Sequence, residues 1–472
     1  MAEDAPLWTW EALVSAAEGA AEGAPAGAIG GFSIDTRSLA AGEVFVALTD
    51  QRDGHDFVDA AFERGAAAAI VRHDFAVSAG PAPLIRVDDP LRALGRIAVA
   101  ARARLRSAAR VVAVTGSAGK TGTKEMLRAC LATAGKVHAP EKSFNNHWGV
   151  PLTLARMAAG VDFAVIEIGM NHAGEISPLT RMARPHIAVI TNVLPVHVGN
   201  FVDGEEGVAK AKAEIFEGIE PGDLAVLPRD SRHLALLTAA AKARGARIMT
   251  FGAGTADVRA EKIDLGDTGS EIVASIAGRT LRYRLGTVGA HIAVNSLAVV
   301  AALDALGLPL EAATRPLAGI TPPVGRGART VLKSGAGSIL LIDESYNANP
   351  ASMRAAIAVL GAVSRNTCPR RIAILGDMLE LGGGAEAYHL GLADAIAAAE
   401  IDVLFVCGSN MHKLYEELRD KRRIEWAPDS AALISHVVDA LESGDAVMVK
   451  GSLGSRMAPI VAAIKARFAA SA

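Results

Sequence analysis

Short apolar runs alternate with longer segments of helical spacing through the middle of the chain. The runs that predict strands are Val111–Thr115, Phe163–Ile168, Ile187–Thr191 and Leu224–Leu227. Strands and helices that alternate in this way form a largely parallel sheet. Residues 271–285, interrupted at Gly278-Arg279, predict a hairpin on the edge of this sheet, and residues 291–306 predict a closing helix.

A second alternating pattern begins after Thr321-Pro322-Pro323, a segment that cannot continue a helix and predicts a linker. Its predicted strands are Ile339–Asp343, Ile372–Leu375, Val403–Cys407 and Ala446–Val449. Its predicted helices lie near residues 350–361, 386–399, 429–442 and 453–469. This arrangement is typical of a doubly wound, Rossmann-like sheet.

The first part of the chain predicts a small α/β unit. Its predicted strands are Val44–Leu48, Ala67–Val71 and Leu84–Val87, and an amphipathic helix predicted at Leu91–Leu105 connects it to the middle of the chain. Together the three patterns predict an α/β fold with a small N-terminal domain at residues 1–107, a central domain at 108–322 and a C-terminal domain at 323–472.

Composition narrows the functional classes. The formal net charge of −3 gives no reason to expect binding to nucleic acid or to an anionic membrane. The three scattered cysteines fit a reducing cytoplasm, and the first residues, MAEDAPLW, lack the apolar stretch of a secretion signal. Residues 285–303 carry no Asp, Glu, Lys or Arg, but His291 and Asn295 within them favour a buried helix over a membrane span. We therefore expect a cytoplasmic protein.

The most informative stretch is VVAVTGSAGKT, residues 111–121, where a glycine-containing loop follows a strand and precedes a helix. Backbone N–H groups of such a loop and the positive end of the helix dipole bind phosphates. Lys120 would add a point charge at the terminal phosphates, and Thr121 could hold Mg²⁺. Because Val114 stands where the longer G-x-x-x-x-G-K-[ST] pattern begins with glycine, only the shorter T-G-x-x-G-K-T form is present. We interpret it as a phosphate-binding loop.

Two polar residues follow later strands. Glu167 ends the run DFAVIEI at the presumed carboxyl edge of the sheet, where a carboxylate beside a phosphate loop is a natural Mg²⁺ ligand. A structural salt bridge is the alternative interpretation of Glu167. His197 follows the next strand across a short loop, and it is either a functional ligand or a polar cap of that loop.

Lys212 lies on an apolar helix face. In the segment GEEGVAKAKAEIFEGI, Val208, Lys212, Ile215 and Ile219 are spaced at i, i+4, i+7 and i+11, whereas Lys210 points elsewhere. Desolvation of a lysine in that stripe would disfavour its charged form and make the neutral amine available for covalent chemistry. The alternative is a stem that lies on apolar surface with its ammonium group in water.

Nine motifs place these residues in a wider pattern. They are, in order, TGSAGKT, FNNHWGVP, VIEIGMNHAGEI, KAEIF, VGAHIAVN, PVGRG, DESYNANPASM, GDMLELG and KGSLGSRM. In this order they resemble the Mur ligases, the ATP-dependent amide-forming ligases that build the peptide of bacterial peptidoglycan. SIDTRSLAAGEVFVAL and DGHDF also resemble that family's uridine-nucleotide domain, so the resemblance spans nearly the whole chain. YNANP and GDMLELG look like the member that adds the last two residues, D-alanyl-D-alanine.

The resemblance implies a nucleotide site and a catalytic set. The residues that would cradle ATP are Gly116, Ser117, Ala118, Gly119, Lys120, Thr121 and Gly122. Asn295 would contact adenine, Arg326 the terminal phosphate and Asp343 the ribose. Two Mg²⁺ ions are implied, the first on Thr121 and Glu167 and the second with His197, while Lys212 matches the lysine that is carbamylated into a metal ligand. The implied catalytic residues are Lys120, Lys212, His197 and Glu167.

The resemblance also implies substrate contacts. Asp35, Thr36 and Arg37 match the uridine-nucleotide motif, and Asn145 and Asn146 match residues near the sugar-peptide substrate. The side chains of Asn347 and Asn349 either bind the incoming dipeptide or cap a helix that begins at Ser352. Two positions depart from the family pattern. Ile292 stands where the family often has Asn, and Leu453 stands where many relatives have Arg, with Arg456 further on.

The implied reaction is ATP-dependent amide formation through an acyl phosphate, with UDP-MurNAc-tripeptide and D-alanyl-D-alanine as small-molecule substrates of a monomeric enzyme. A sister ligase that adds a diamino acid, or a folylpolyglutamate-type ligase, is an alternative that shares the ATP core. The local sequence Asn347-Ala348-Asn349-Pro350 counts against the diamino-acid ligases, which usually carry D-N-P-R. A nucleotide-dependent switch or kinase, and a binding module without chemistry, are alternatives from other classes.

Overall fold

The computed structural model describes residues 6–76, 82–141, 143–266, 268–335 and 337–468. Within these ranges the chain forms three β-sheets in succession, one inside each predicted domain range. We refer to the parts of the chain that contain the sheets as the N-terminal, central and C-terminal units; the domain boundaries at 107 and 322 stay predictions. Residues 1–5, which contribute to the secretion-signal prediction, lie outside the described residues.

The N-terminal unit is a five-stranded sheet with three helices. Its strands are β1 (Ala20–Glu22), β2 (Gly31–Ser33), β3 (Glu43–Val46), β4 (Ala68–Arg72) and β5 (Leu84–Val87), in the order β1-β5-β4-β3-β2. Its helices are α1 (Trp10–Ala17), α2 (Val58–Glu63) and α3 (Pro90–Ala103). All strand pairs are parallel except β1 with β5. The three predicted strands and the connecting helix are confirmed, with small shifts at their ends.

The central unit contains the largest sheet. Its strands are β6 (Arg110–Thr115), β7 (Val137–His138), β8 (Phe163–Glu167), β9 (Ile187–Ile190), β10 (Leu224–Pro228), β11 (Arg247–Gly252), β12 (Val258–Leu265), β13 (Ser270–Ile276) and β14 (Arg279–Leu285). Its helices are α4 (Lys120–Leu131), α5 (Gly149–Ala155), α6 (Ile176–Ala183), α7 (Gly204–Ala213), α8 (Leu234–Ala243), α9 (Ala290–Ala305) and α10 (Leu310–Ala313). The order is β14-β13-β12-β11-β10-β9-β6-β8-β7, parallel from β7 to β12. The largely parallel sheet and the edge hairpin β13–β14 are confirmed.

Strand β6 lies between β8 and β9 and is buried on both faces. Val111 and Ala113 belong to one hydrophobic core and Val112 and Val114 to the core on the other face, which is why four consecutive apolar residues occur here. The chain continues to β7 and β8 on one side of β6 and then to β9 on the other. Ligands of parallel α/β sheets bind outside the carboxyl ends of strands at such a point of reversal.

The C-terminal unit is a six-stranded sheet between helices. Its strands are β15 (Ala328–Ser334), β16 (Gly337–Glu344), β17 (Arg370–Gly376), β18 (Val403–Cys407), β19 (Ile424–Ala427) and β20 (Asp445–Lys450). Its helices are α11 (Pro350–Gly361), α12 (Ala385–Leu390), α13 (Ala393–Ala398), α14 (Ser409–Leu418), α15 (Ser430–Ala440) and α16 (Ala458–Arg467). The order is β15-β16-β20-β17-β18-β19, and only β15 with β16 is antiparallel. The predicted doubly wound sheet is confirmed.

Three helix predictions are wrong in extent. The helix predicted at 386–399 is two helices, and at their junction the N–H of Leu392 donates to the carbonyl of His389, three residues back, instead of continuing the α-helical pattern. The helix predicted at 453–469 begins only at Ala458, after Arg456 adopts a left-handed conformation with φ +51°. The helix that carries Lys212 ends at Ala213, and residues 214–218 continue as a 3₁₀ turn.

No helix formed by the described residues is both long and apolar enough to cross a membrane. Residues 285–303, which lack acidic and basic side chains, contribute the end of β14 and most of the buried helix α9. The prediction of a buried helix there is confirmed.

Hydrogen bonds from arginine side chains to backbone carbonyls tie the units together. The Arg104 guanidinium donates to the carbonyls of Leu7 and Met157, at 2.7 and 2.8 Å, and so joins the start of the N-terminal unit to the central unit. The Arg156 guanidinium, just after α5, donates to the carbonyl of Phe32 in β2. Loops at the carboxyl ends of the central and C-terminal sheets also contact each other, and the candidate site lies between those loops.

Candidate active site

The loop from Gly116 to Gly119 connects β6 to α4 and requires glycine at both ends. Gly116 has φ +148°, and a Cβ there would lie 1.9 Å from Thr191 Oγ1. Gly119 has φ +81°, and a Cβ there would lie 2.1 Å from the amide nitrogen of Asn295. Helix α4 begins without a capping side chain, so the N–H groups of its first turn are open to an anion.

The loop is held by residues that sequence reasoning did not single out. Asn192 Oδ1 accepts from the N–H of Ala118 at 2.9 Å, and the Asn192 carbonyl accepts from the N–H of Ser117 at 3.1 Å. The Thr191 hydroxyl donates to the Ala118 carbonyl at 2.6 Å. Thr191 and Asn192 directly follow β9. Their position at the carboxyl end of a strand beside β6 is the sequence feature from which a role at the phosphate loop could have been predicted.

Lys120 folds back over this loop. Its Nζ donates to the Gly116 carbonyl at 2.7 Å. Desolvation lowers the pKa of the Lys120 ammonium group; the Glu167 carboxylate opposes that shift, and Arg326 adds to it. These three charges interact because the central and C-terminal units converge here, and the phosphate-loop prediction places phosphate oxygens beside them.

Glu167 is fully buried at the end of β8. Its Oε1 accepts from the Thr121 hydroxyl at 3.1 Å and from the Asn145 amide at 2.7 Å. Its Oε2 is buried and has no hydrogen-bond partner among the described residues. Glu167 makes no ion pair with them either, so the salt-bridge interpretation is not supported. A carboxylate oxygen without a partner beside a threonine hydroxyl fits a hard cation such as Mg²⁺.

Lys212 is also buried, with 2% of its surface exposed. No described residue forms a hydrogen bond or ion pair with its ammonium group, and desolvation, with a further contribution from Lys120, holds its pKa well below the usual value. The interpretation of an ammonium group in water is therefore wrong. Lys210, two residues earlier, is exposed and pairs with Asp203 at 2.7 Å and Glu206 at 3.0 Å.

His197 has a left-handed backbone, with φ +56°, and its Nδ1 bonds the carboxylate of Glu380 from the C-terminal unit. Desolvation lowers the pKa of the imidazole; Glu380 raises it, and Lys212 and Lys120 lower it further. His197 therefore lies within electrostatic reach of both lysines.

Within the described ranges no three His, Cys, Asp or Glu side chains cluster as a metal site. A cation at Glu167 would consequently need ligands of other kinds, such as the Thr121 hydroxyl, a modified Lys212 or phosphate oxygens. Mg²⁺ is commonly bound in this way, through one or two carboxylates and the phosphates of a substrate.

Arg326 reaches the same place from beyond the linker. Its guanidinium donates to the Ser143 hydroxyl at 3.3 Å and lies 4.1 Å from the centre of the Tyr346 ring. The Ser143 hydroxyl also bonds that of Thr121 at 3.0 Å, which links Arg326 to the phosphate loop. Asp343 is buried at the end of β16, where its Oδ1 accepts from the hydroxyl and the N–H of Ser345.

Two cavities border this junction. The smaller, of about 200 Å³, lies between the two units and is lined in part by Ser117, His197, Asn347, Asn349, Leu379 and Leu453. The larger, of about 490 Å³, lies between the segments that flank the edge hairpin, the start of α9 and the C-terminal unit. Ile292, the departure noted in the sequence, is half-buried and lines the larger cavity together with His291.

The two asparagines of the YNANP motif differ in the hydrogen bonds that they form. Asn349 forms a capping box on α11: its Oδ1 accepts from the N–H of Ser352 at 2.9 Å, and its own N–H donates to the Ser352 hydroxyl at 3.0 Å. The helix begins at Pro350 and not at Ser352, which corrects the prediction. The Asn347 side chain is exposed, and its only described bond is with the N–H of Ala348.

Replacing Asn349 with alanine is expected to lower the free energy of unfolding by about 1 kcal/mol, because the bond from the N–H of Ser352 to Asn349 Oδ1 is lost. Denaturant titration measures this change. Asn347→Ala is the matched control, since Asn347 caps no helix, and it should leave the unfolding midpoint within experimental error. Equal loss of stability in both variants would contradict the capping assignment.

The remaining predicted substrate residues lie elsewhere or have local roles. The carboxylate of Asp35 pairs with the exposed Arg37 guanidinium at 2.7 Å in a turn after β2. Asn146 Oδ1 accepts from the N–H groups of Trp148 and Gly149 at the start of α5, whereas Asn145 binds Glu167. Thr36 belongs to the same turn as Asp35, and Gly122 lies in the first turn of α4; Arg456 is exposed. The structure thus brings together the phosphate loop, Glu167, His197, Lys212 and Arg326, whereas the residues predicted to bind the uridine nucleotide lie on the N-terminal unit; the roles of both groups stay predictions.

Two family descriptions match the central and C-terminal parts of the chain. The family description of the Mur ligase middle domain matches residues 114–303, and that of the Mur ligase, glutamate ligase domain matches residues 328–453.

The chain is 33% identical over 438 residues, covering 92% of each sequence, to the UDP-N-acetylmuramoyl-tripeptide–D-alanyl-D-alanine ligase of Bacillus subtilis. It is 34% identical to the ligase of the same name from Escherichia coli, covering 91% of this chain and 92% of that one. A crystal structure of MurF from Acinetobacter baumannii superimposes with a TM-score of 0.83 at 28% identity, covering 97% of this chain and 98% of that one. The resemblance noted in the sequence is confirmed, and the chain belongs to the Mur ligase family.

Proposed function

We propose that this chain is an ATP-dependent amide ligase that joins D-alanyl-D-alanine to UDP-N-acetylmuramoyl-tripeptide in the synthesis of peptidoglycan precursors. The proposal rests on one observation above all: the phosphate loop with Lys120, the buried Glu167 and the buried Lys212 meet Arg326 of the C-terminal unit at one cleft. The name shared by the curated relatives supports the identity of the two substrates.

The reaction has two steps. A terminal carboxylate oxygen of the tripeptide attacks the γ-phosphorus of ATP, ADP leaves, and an acyl phosphate forms. The amine of D-alanyl-D-alanine then attacks the acyl carbon, the bond from that carbon to the phosphate oxygen breaks, and the amide, inorganic phosphate and a proton are released. Such a reaction depends mainly on the positioning of reactants and on charge stabilisation, since the protein itself forms no covalent intermediate.

The residues of the phosphate loop would hold the nucleotide. The first-turn N–H groups of α4 and the Lys120 ammonium group neutralise the β- and γ-phosphates, and Arg326 adds a positive charge from the other unit. The amide of Asn295, in α9, lies against Gly119 of the phosphate loop, a position that supports the predicted contact with the nucleotide. Asp343 lies at the end of β16, and its Oδ2 would contact the ribose, since Oδ1 is bonded to Ser345.

Two Mg²⁺ ions complete the proposed site. When bound, Mg²⁺ supplies positive charge shared by the phosphate oxygens and the reacting carboxylate. Glu167 Oε2 and the Thr121 hydroxyl would hold the first ion, and His197 and Lys212 the second. Lys212 would do so as a carbamate, formed when its neutral amine adds to CO₂ with loss of a proton. A buried amine with a depressed pKa and no partner supports that modification.

The dipeptide would occupy the smaller cavity. Asn347 offers an exposed amide there, and Leu379 and Leu453 offer apolar walls for the two methyl groups of D-alanyl-D-alanine. The uridine end of the other substrate would lie at the Asp35–Arg37 turn of the N-terminal unit, with Asn145 and Asn146 between the two ends. ATP and nucleotide-linked precursors are metabolites of the cytoplasm, which supports a cytoplasmic location; a monomeric enzyme is part of the proposal.

Steady-state phosphate release tests the proposal. UDP-MurNAc-tripeptides that end in diaminopimelate or in lysine are each supplied with ATP, with and without D-alanyl-D-alanine. We expect release only when ATP, one tripeptide and the dipeptide are all present, in a one-to-one ratio with the amide product. Release that needs no dipeptide would instead support a nucleotide-dependent switch or kinase, and release with a free diamino acid and a UDP-dipeptide would support a sister ligase.

Asn347→Ala is expected to raise the KM for D-alanyl-D-alanine several-fold, with little change in the KM for ATP, because only a ground-state contact to the dipeptide is lost. Initial rates at varied dipeptide and at varied ATP measure both constants. Asn349→Ala, whose amide is engaged in the helix cap, should change the KM for the dipeptide less. An unchanged KM for the dipeptide in Asn347→Ala would rule out this contact.

A further inference from the structure

The loop Asp377–Gly382, which carries most of the GDMLELG motif, projects from the carboxyl end of β17 toward the central unit. At its tip Glu380 bonds Nδ1 of His197, 183 residues away in sequence. Within the described residues, no hydrogen bond or ion pair joins Glu380 to the phosphate loop or to Lys212. The role of this carboxylate is therefore to be sought in its hydrogen bond with His197.

The loop is held from three sides within its own unit. The N–H of Met378 donates to Nε2 of His389 at 2.9 Å, and the N–H of Leu379 donates to the Ser452 hydroxyl at 2.9 Å. The Asp377 carboxylate accepts from the N–H of Met411 at 2.8 Å at the start of α14. Glu380 itself has φ +61°, a conformation that non-glycine residues adopt only when their surroundings enforce it. The carboxylate is thus presented by a preformed loop.

The opposing loops also approach each other closely in their backbones. Gly199 lies two residues after His197, and a Cβ on Gly199 would lie 3.1 Å from the Cα of Gly382. A side chain at Gly199 would therefore push the two loops apart by a few tenths of an ångström. A Cβ on Gly383, the residue after Gly382, would lie in open space.

We propose that Glu380 is a positioning residue that fixes the His197 imidazole from across the junction, so that contact between the two units completes the second metal site. This inference rests on the proposed function of His197 as a ligand of that site. It assigns a role to a residue of the C-terminal unit in a metal site whose ligands all lie in the central unit.

The chemistry of imidazole gives the reason. A neutral imidazole has one protonated nitrogen, and a carboxylate that accepts from Nδ1–H leaves the lone pair on Nε2. Nε2 of His197 has no hydrogen-bond partner among the described residues. Histidine ligands of metals commonly donate their other N–H to a carboxylate, and loss of that carboxylate typically weakens metal affinity roughly 10- to 100-fold. With 54% of its side chain exposed, Glu380 contributes little as an ion pair, so orientation of the ring is its main effect.

Manganese binding tests the inference directly. Mn²⁺ is titrated into the full-length protein with a non-hydrolysable ATP analogue and UDP-tripeptide, and bound metal is followed by electron paramagnetic resonance. In Glu380→Ala we expect the Kd of the weaker site to rise at least tenfold, with the tighter site unchanged. Glu380→Gln keeps an amide oxygen that can accept from Nδ1–H, so its Kd should rise less. Glu386→Ala is the matched control, because it removes a carboxylate from an exposed residue of the neighbouring helix, and it should titrate as the unmodified protein does.

A double-mutant cycle shows whether Glu380 acts through His197. If it does, His197→Ala combined with Glu380→Ala weakens the second site no more than His197→Ala alone. Additive losses, or equal titrations of Glu380→Ala and Glu386→Ala, would overturn the inference. Gly199→Ala should also weaken the second site, whereas Gly383→Ala should not. Unchanged binding of both metals in His197→Ala would instead remove His197 from the metal site and so contradict the proposed function.

Discussion

Lys120→Ala is expected to abolish tripeptide-dependent phosphate release while the protein stays folded. The Lys120 ammonium group bonds only the Gly116 carbonyl within the described residues, and that carbonyl can turn to water once the side chain is gone. The charge that faces the terminal phosphates is lost, and removal of one such preorganised donor typically slows catalysis by roughly 10²- to 10³-fold. Phosphate release at saturating substrates measures the loss, and thermal unfolding reports the fold.

Lys124→Met is the matched control for this variant. Lys124 lies one turn further along α4, is fully buried, and donates to the Pro140 carbonyl at 2.6 Å. Its removal leaves a buried carbonyl unsatisfied and should cost stability, about 1–3 kcal/mol, but should leave turnover by the folded fraction nearly normal. ATP-dependent ligation at an unmodified rate in Lys120→Ala would contradict the phosphate-loop assignment.

Lys212→Ala is expected to be nearly inactive and to recover part of its activity when short carboxylic acids are added. If the lysine is carbamylated, its deletion removes a carboxylate-like metal ligand, and a small carboxylate can enter the space left behind. The measurement is phosphate release with and without acetate or propionate, together with the mass of the intact protein and a high-resolution map around residue 212.

Lys210→Ala controls for loss of a lysine from the same helix. The exposed pairs of Lys210 with Asp203 and Glu206 are worth about 0–1 kcal/mol, so its removal should leave the rate close to normal. Equal loss of activity in the two variants would contradict the proposed role of Lys212. So would an unmodified Lys212 side chain in the map.

The parts of the site that come directly after a strand could be predicted from the sequence. The apolar run of β6 and the Gly-Lys-Thr loop after it indicate a phosphate site because a parallel sheet presents ligands at its carboxyl edge. Glu167 is predictable for the same reason. The apolar helix face that carries Lys212 also predicted a buried lysine correctly. The helix changes to a 3₁₀ turn after Ala213, but Ile215 and Ile219 are buried in that geometry as well.

Contacts across the junction could not be predicted in this way. His197 meets Glu380, and Ser143 meets Arg326, each over 183 residues of sequence, and no local pattern encodes either pair. The cap formed by Asn349 is different, because its sequence signal was present. An asparagine followed directly by proline, with serine three positions later, is a helix start, and only the competing substrate role left it undecided.

Strand β15 was missed for a physical reason. Its residues are mostly exposed or half-buried, because β15 covers the edge of the C-terminal sheet as an antiparallel strand. Without a continuous apolar run, the segment from Ala328 to Ser334 lacks the signal that located the inner strands. Edge strands depend on their partner more than on their own sequence, and here the partner is β16.

The central claim is that an oxygen of the tripeptide carboxylate attacks ATP. Positional isotope analysis tests it most directly. UDP-MurNAc-tripeptide labelled with ¹⁸O in both oxygens of its terminal carboxylate is incubated with the protein, ATP and D-alanyl-D-alanine, and the inorganic phosphate is examined by mass spectrometry. The account predicts one ¹⁸O atom in each phosphate released and one in each new amide carbonyl. Phosphate that is free of ¹⁸O while the amide forms would contradict it.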